Sequence, residues 1–217
     1  MPAGIEHHLK FYDCQTAPSP RRVRIFLAEK GMVLPTVQVD LRHGEQLTPA
    51  FRALNPWCTV PVLVLDEGSA ISEAIAICHY LEAIHPEPAL MGRTPAEKAV
   101  ILMWEHRCEI DGFLAVQEAF RNSAPGLKGR AVTGSKEVAQ IPTLAERGRA
   151  RVLHFFRLLD QRLAASAYLG GPAYSVADIT ALVTVDFAGW IKLALPEDCV
   201  HARRWHAAVR QRPSAMA

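Results

Sequence analysis

The sequence lacks a dominant charge. Its 24 Lys and Arg face 22 Asp and Glu, a formal net charge of +2 over 217 residues. That balance excludes the strongly basic field of a nucleic-acid binder and gives no footing for a membrane surface. A long apolar run is also missing: the longest, Ile179–Trp190, carries Asp186 and is shorter than the ~20 residues a bilayer span needs. The first ten residues include Glu6 and hold no apolar core, so they do not read as a signal peptide. No C-x-x-C pair occurs, and the five cysteines, Cys14, Cys58, Cys78, Cys108 and Cys199, are odd in number. A disulfide scaffold and a structural zinc site are therefore not expected. The nine histidines never approach metal-ligand spacing with a cysteine, so no metal is expected either. Internal repeats and low-complexity tracts are absent. What is present is a 50% hydrophobic chain, enough to bury a real core. The expectation is a globular protein of a reducing compartment, the cytoplasm.

The chain has two textures. From Leu9 to His85, short apolar runs alternate with helical stripes. Leu9–Tyr12 reads as a strand, and Pro20 opens a helix with Val23, Phe26 and Leu27 on one face and Gly31 as its left-handed cap. Leu34–Val39 reads as a strand and Pro49–Leu54 as a short helix stopped by Asn55-Pro56. Val62–Leu65 and Ser69–Ile71 flank Asp66-Glu67-Gly68 as a hairpin, and Ser72–His85 follows as a helix. The order β-α-β-α-β-β-α implies helices layered on a small mixed sheet. After Pro86 and Pro88 the strand signal vanishes. Helical patterns then cover Ala96–Asn122, Thr143–Ala165, Ser175–Leu193 and His201–Arg210, the last read as a solvated helix bearing His201 and His206. Ser123–Pro142, with one proline and three glycines inside it, reads as a long flexible loop of functional character. The expected division is residues 1–86, a linker at 87–94, and an all-helical part at 95–217.

Two local patterns carry chemistry. In Asn55-Pro-Trp-Cys-Thr-Val-Pro-Val-Leu63, proline stands directly before an apolar strand, so Val60-Pro61 is a candidate cis step. Such a turn leaves the Val60 backbone free to pair with an extended peptide; an ordinary loop-to-strand junction is the bland alternative. In Ile71-Ser-Glu-Ala-Ile75 a helix opens just after a hairpin. Its free amides suit a ligand carboxylate and Glu73 an ammonium, although simple capping by Ser72 accounts for the serine alone.

Taken together these residues resemble the cytosolic glutathione transferase family over nearly the whole chain. Val60-Pro61 matches the cis-proline before the third strand. Glu73 matches an acidic-serine pair at the third helix, with Ala74 in place of serine. Ser175-Val-Ala-Asp178 matches the N-capping segment of the helical part, where serine and aspartate satisfy each other's backbone amides. The resemblance implies a thioredoxin-like N-terminal domain, an all-α C-terminal domain and a homodimer. It also implies glutathione as co-substrate, held by Thr59, Val60, Pro61, Glu73 and Ala74 and, at the glycyl carboxylate, by His43 or Gln46.

At the catalytic position the chain departs from the family. Alignment on Arg22-Val-Arg-Ile25 puts Ala17 where a Ser or Cys usually steadies the thiolate, as in a fungal and bacterial theta-like branch that lacks the usual residue. Ser19, Thr16 and, through water, His106 are the expected substitutes, with Cys14 and Cys58 read as small buried hydrophobes. Trp104, Phe113, Phe120 and Trp190 are expected to line a cleft for a hydrophobic electrophile or else to be plain core. The expected activity is transfer of the glutathione thiolate to such an electrophile. A non-catalytic glutathione binder and a glutathione-dependent thiol–disulfide reductase are the alternatives.

Overall fold

In the computed structural model residues 9–134 and 137–217 are described. The N-terminal stretch weighed as a leader, with His7 and His8, lies outside them. Strand β1 (Lys10–Asp13) alternates exposed and buried positions because one face meets helices. Helix α1 (Pro18–Lys30) starts on proline and ends at Gly31, whose φ of 65° and whose N–H on Ala28 O make the expected left-handed cap. Strand β2 (Thr36–Gln38) lies parallel to β1, and α2 (Pro49–Leu54) is capped by Thr48. Strand β3 (Val62–Val64) runs antiparallel to β1, β4 (Ala70–Ser72) antiparallel to β3, and α3 (Ala74–Ile84) follows. The sheet order is β2-β1-β3-β4, the small mixed sheet expected.

The register positions the site. Tyr12 pairs with Val62 and Val62 with Ser72. One end of the sheet therefore gathers the exit of β1 at Asp13, the cis Val60-Pro61 entry to β3 and the exit of β4 at Glu73.

The helical half departs from its sequence pattern most clearly in its first helix. Ala96–Asn122 is not one regular helix: α4 (Pro95–Arg107) passes through a π-helical segment, Cys108–Phe113, into α5 (Leu114–Ser123). Gly112 lies in that segment against Phe155, where an added Cβ would stand 2.6 Å from the ring. Helices α6 (Pro142–Ala164), α7 (Val176–Ala188) and α8 (Val200–Val209) complete the bundle. Ser175 and Asp178 form the expected capping box at α7. Asp178 also accepts from Leu169 N–H at 3.0 Å and Trp205 Nε1 at 3.0 Å, which fixes α8 on α7. Helix α8 is less solvated than its composition suggests, since His206 bonds to Asp186 at 3.1 Å. One continuous core joins Phe26, Leu63 and Ile77 to Phe155, Leu159 and Leu182. None of the described helices is long and apolar enough to cross a membrane.

Charges seal the junction between sheet layer and bundle. Lys30 Nζ is buried against His85 O (2.9 Å), Pro88 O (2.6 Å) and Glu82 (2.5 Å), which ties α1 to the connecting segment. Arg22, also buried, pairs with Glu109. Beside it Glu105 accepts from Thr180 Oγ1 at 2.9 Å, while its other oxygen is buried without a partner. Burial pushes the Glu105 carboxyl up to about 7, with Arg22 pulling the other way and Glu109 and Asp178 adding to the rise. An unfolded glutamate releases its proton near 4.5, so the fold loses stability as pH rises from there to about 7, and the deficit persists above. Glu105→Gln should match the wild type at about pH 4–5 and exceed it by on the order of 1–3 kcal/mol at about pH 8. Urea denaturation across that range checks this, and parallel stability profiles for the two chains would contradict it.

Candidate functional site

A cleft of about 450 Å³ opens between the gathered sheet end and the bundle. Its floor is Thr16, Ala17, Pro18 and Ser19, the loop from β1 into the first turn of α1. One side is Gln46, Cys58, Thr59 and Val60. The opposite wall is Phe113, Gln117, Phe120 and Arg121, a stripe at helical spacing, backed by Phe187 and Trp190. The rings interlock edge to face: Phe120 and Phe187 stand 5.2 and 5.1 Å from Trp190.

Alanine at position 17 leaves α1 with no side-chain cap. Pro18 and Pro20 carry no N–H, so within the first three residues of the helix only Ser19 presents an amide. Ser19 also presents a hydroxyl whose oxygen accepts from Arg22 Nη2 at 2.9 Å. A hydroxyl that accepts from a guanidinium keeps its own proton free to donate and is a stronger donor for it. Arg22 is held in turn by Glu109 and by stacking 4.2 Å over Phe113. Thr16 is exposed and lies 3.6 Å from the Cys14 sulfur.

Among the described residues nothing takes the Val60 N–H or C=O, and Pro61 follows in the cis form. Glu73 is exposed at the N-terminus of α3 with φ 70°, a conformation non-glycine residues reach only at a cost. The expected cap does not form: Ser72 ends β4, and the cap position belongs to Glu73, with no side-chain bond to the helix. Because β4 runs one residue further than its pattern suggested, the free amides begin at Ala74. Gln46 is buried on a short 3₁₀ turn, borders the cleft and leaves its Oε1 without a partner.

Two expected site residues lie outside the cleft lining. His43 is fully turned to solvent, its Nδ1 2.6 Å from Asp40, and does not border the cleft; the local pairing three residues apart takes the ring away. His43 in turn holds the Asp40 carboxyl below its usual range. His106 is exposed on α4 and outside the cleft lining. In a regular helix it would share a face with Phe113, two turns on, but the π segment between them adds a residue to the turn and rotates it off that face. Trp104, upstream of the same segment, packs on the core under Arg107 and Arg162, in line with the plain-core alternative. Cys58 borders the cleft yet bonds to Pro56 O at 3.6 Å, and Cys14 does not border it.

The long loop is also more ordered in its bonding than its composition suggests. Arg121 donates to the carbonyls of Arg130, Ala131 and Val132. Gln140 donates to Arg121 O and Ala124 O at 2.8 Å, and Ile141 N–H to Asn122 Oδ1 at 2.9 Å. It forms the cleft's outer wall, closed by Gly134, where a Cβ would sit 2.1 Å from Trp57 O. Arg42, Gln117, Arg121 and Arg130 were missed as cleft residues. The only signal for two of them was the spacing of Gln117 and Arg121 from Phe113.

The comparisons with known proteins fit this geometry. The family models for the glutathione S-transferase N-terminal domain and C-terminal domain match residues 16–84 and 106–213. "Glutathione S-transferase 2" of Saccharomyces cerevisiae is 40% identical over 212 residues, covering 97% of this chain and 89% of that protein. The crystal structure of Gtt2 from the same yeast superposes with a TM-score of 0.88 at 38% identity, over 95% of this chain and 98% of that one. "Disulfide-bond oxidoreductase YfcG" of Escherichia coli is 27% identical over 214 residues, covering 93% of this chain and 91% of that protein. The chain belongs to the glutathione S-transferase family.

Proposed function

We propose that the chain is a glutathione transferase that activates the glutathione thiol at Ser19 and delivers the thiolate to an electrophile seated on the aromatic wall. The γ-glutamyl ammonium is assigned to Glu73, its carboxylate to the Ala74 amide, the cysteinyl backbone to Val60 between Thr59 and Pro61, and the glycyl carboxylate to Gln46. The observation that carries this reading is the polarised Ser19 hydroxyl on the cleft floor, between the Val60 edge and the ring cluster. A free thiol titrates near 8.5, so one unit of depression takes about 1.4 kcal/mol of preference for the thiolate. A hydroxyl and an amide donating to sulfur, with the Arg22 charge behind them, are of that order. Thr16, at the cleft mouth, is a secondary donor. Cysteines that are free throughout the described chain suit a reducing, cytoplasmic setting.

The same fold carries the name of a disulfide-bond oxidoreductase in a relative, and Cys58 beside the cleft keeps that second reading open to test. In a steady-state assay with glutathione and 1-chloro-2,4-dinitrobenzene, Ser19→Ala should lose about ten- to a hundredfold in kcat/KM. His106→Ala should stay within about twofold of the wild type, because its side chain lies outside the cleft. A wild-type chain inert in this assay, with a disulfide reductase activity abolished by Cys58→Ser, would replace the transferase reading with the second.

Glu73→Ala should weaken glutathione binding about ten- to a hundredfold in calorimetry, the loss of one charged hydrogen bond. Unchanged affinity would remove Glu73 from the site. A homodimer is also assigned, through the groove of about 610 Å³ between α3 and α4, beside which Leu102 and Met103 stand exposed. Sedimentation at micromolar concentration should give the dimer, and a single monomeric species would contradict it.

A further inference from the structure

Three arginines border the cleft, Arg42, Arg121 and Arg130, and among the described residues no aspartate or glutamate does. Their situations differ. Arg121 is committed to the loop, donating to three of its carbonyls. Arg42 stands on the Gln46 side, next to the place assigned to the glycyl carboxylate of glutathione. Arg130 is half-buried on the helical side, and among the described residues no carboxylate or carbonyl takes its guanidinium. Its backbone is nonetheless fixed. Arg130 N–H bonds to Leu127 O at 2.8 Å, and the neighbouring Ala131 N–H and Val138 N–H bond to Val138 O and Gly129 O at 3.1 and 2.9 Å. Glu137 is exposed in the groove on the outer side of the loop, shared with Arg42, Lys128 and Arg130.

Two guanidiniums close together and partly out of water disfavour each other. Burial and the Arg130 charge push the Arg121 pKa down. An anion entering between Arg130 and the ring cluster would relieve that repulsion and gain a charge-assisted hydrogen bond. Its body would meet Phe120 and Trp190, whose faces want an apolar or aromatic group. Glutathione brings one carboxylate to the Gln46 and Arg42 side and leaves Arg130 unmet.

Resting on the transferase reading above, we propose that the electrophile carries an oxyanion such as a carboxylate on an aromatic body, and that Arg130 receives it. Two probes separate charge from shape: 4-chloro-3-nitrobenzoate and 4-chloro-3-nitrobenzamide. In both, the glutathione sulfur bonds to the ring carbon, chloride leaves with the C–Cl bonding pair, and the thiol proton passes to water. After correction for the uncatalysed rates, kcat/KM should favour the carboxylate about tenfold. Arg130→Gln should bring the ratio near one, Arg130→Lys should keep part of it, and added salt should shrink it. Calorimetry with the two purified glutathione conjugates should show the same preference without turnover.

A wild-type ratio near one, or an equal loss for both probes in Arg130→Gln, overturns the assignment. So does an equal loss for glutathione itself, which would give Arg130 to the glycyl carboxylate. If neither probe nor 1-chloro-2,4-dinitrobenzene reacts but the carboxylate conjugate binds more tightly through Arg130, the anion subsite stands and the transferase reading falls. If glutathione and both conjugates fail to bind, both fall.

Discussion

The Arg22 guanidinium is the contact on which the site depends. It is buried where the first helix of the sheet layer meets the bundle, and it makes three contacts at once: the Glu109 carboxylate, the Phe113 ring and the Ser19 hydroxyl. The first two fix the aromatic wall relative to α1, and the third fixes the donor on the floor. Its two Nη groups are paired while its Nε is buried without a partner among the described residues, and removing one partner of such a buried pair typically costs about 3 kcal/mol or more. Here the pairing also sets the distance between the Ser19 hydroxyl and the aromatic wall, so packing and cleft geometry both fall on one side chain. Glu105 lies in the same seam, where burial raises its carboxyl to about 7 against the pull of Arg22.

The cleft's two sides follow different physics. The sheet side offers main chain: an unpaired Val60, the first amides of α3 and a strained Glu73, which together suit an extended peptide with charged ends. The helical side offers rings and guanidinium groups. The first is built from a β-register that admits little variation, since a shift by one residue would turn every side chain over. The second hangs on Arg121, Asn122 and Gln140 holding a loop by side-chain bonds, an arrangement that can change without disturbing the sheet.

Much of this was legible in the sequence where the cause is local. Gly31 closes its helix because glycine takes a left-handed φ without a Cβ penalty, Val60-Pro61 precedes its strand in the cis form, and Ser175 and Asp178 cap α7 within four residues of chain. The small mixed sheet followed from the alternation of short strands and helices, and its strand order came from the structure. What depended on phase or on distant partners was not legible. One extra residue in the π turn moved His106 off the face shared with Phe113. Asp40 claimed His43, and the one-residue extension of β4 displaced Ser72 from the cap. The roles of Arg22 and Arg130 depend on partners or voids that no spacing reveals.

The central claim is that this cleft lowers the pKa of bound glutathione's thiol. The direct test is the ultraviolet thiolate absorbance of the wild-type complex, titrated against pH at saturating glutathione. The account requires a midpoint at least about one unit below the 8.5 of a free thiol. A saturated complex whose midpoint lies at or above the free value would contradict it.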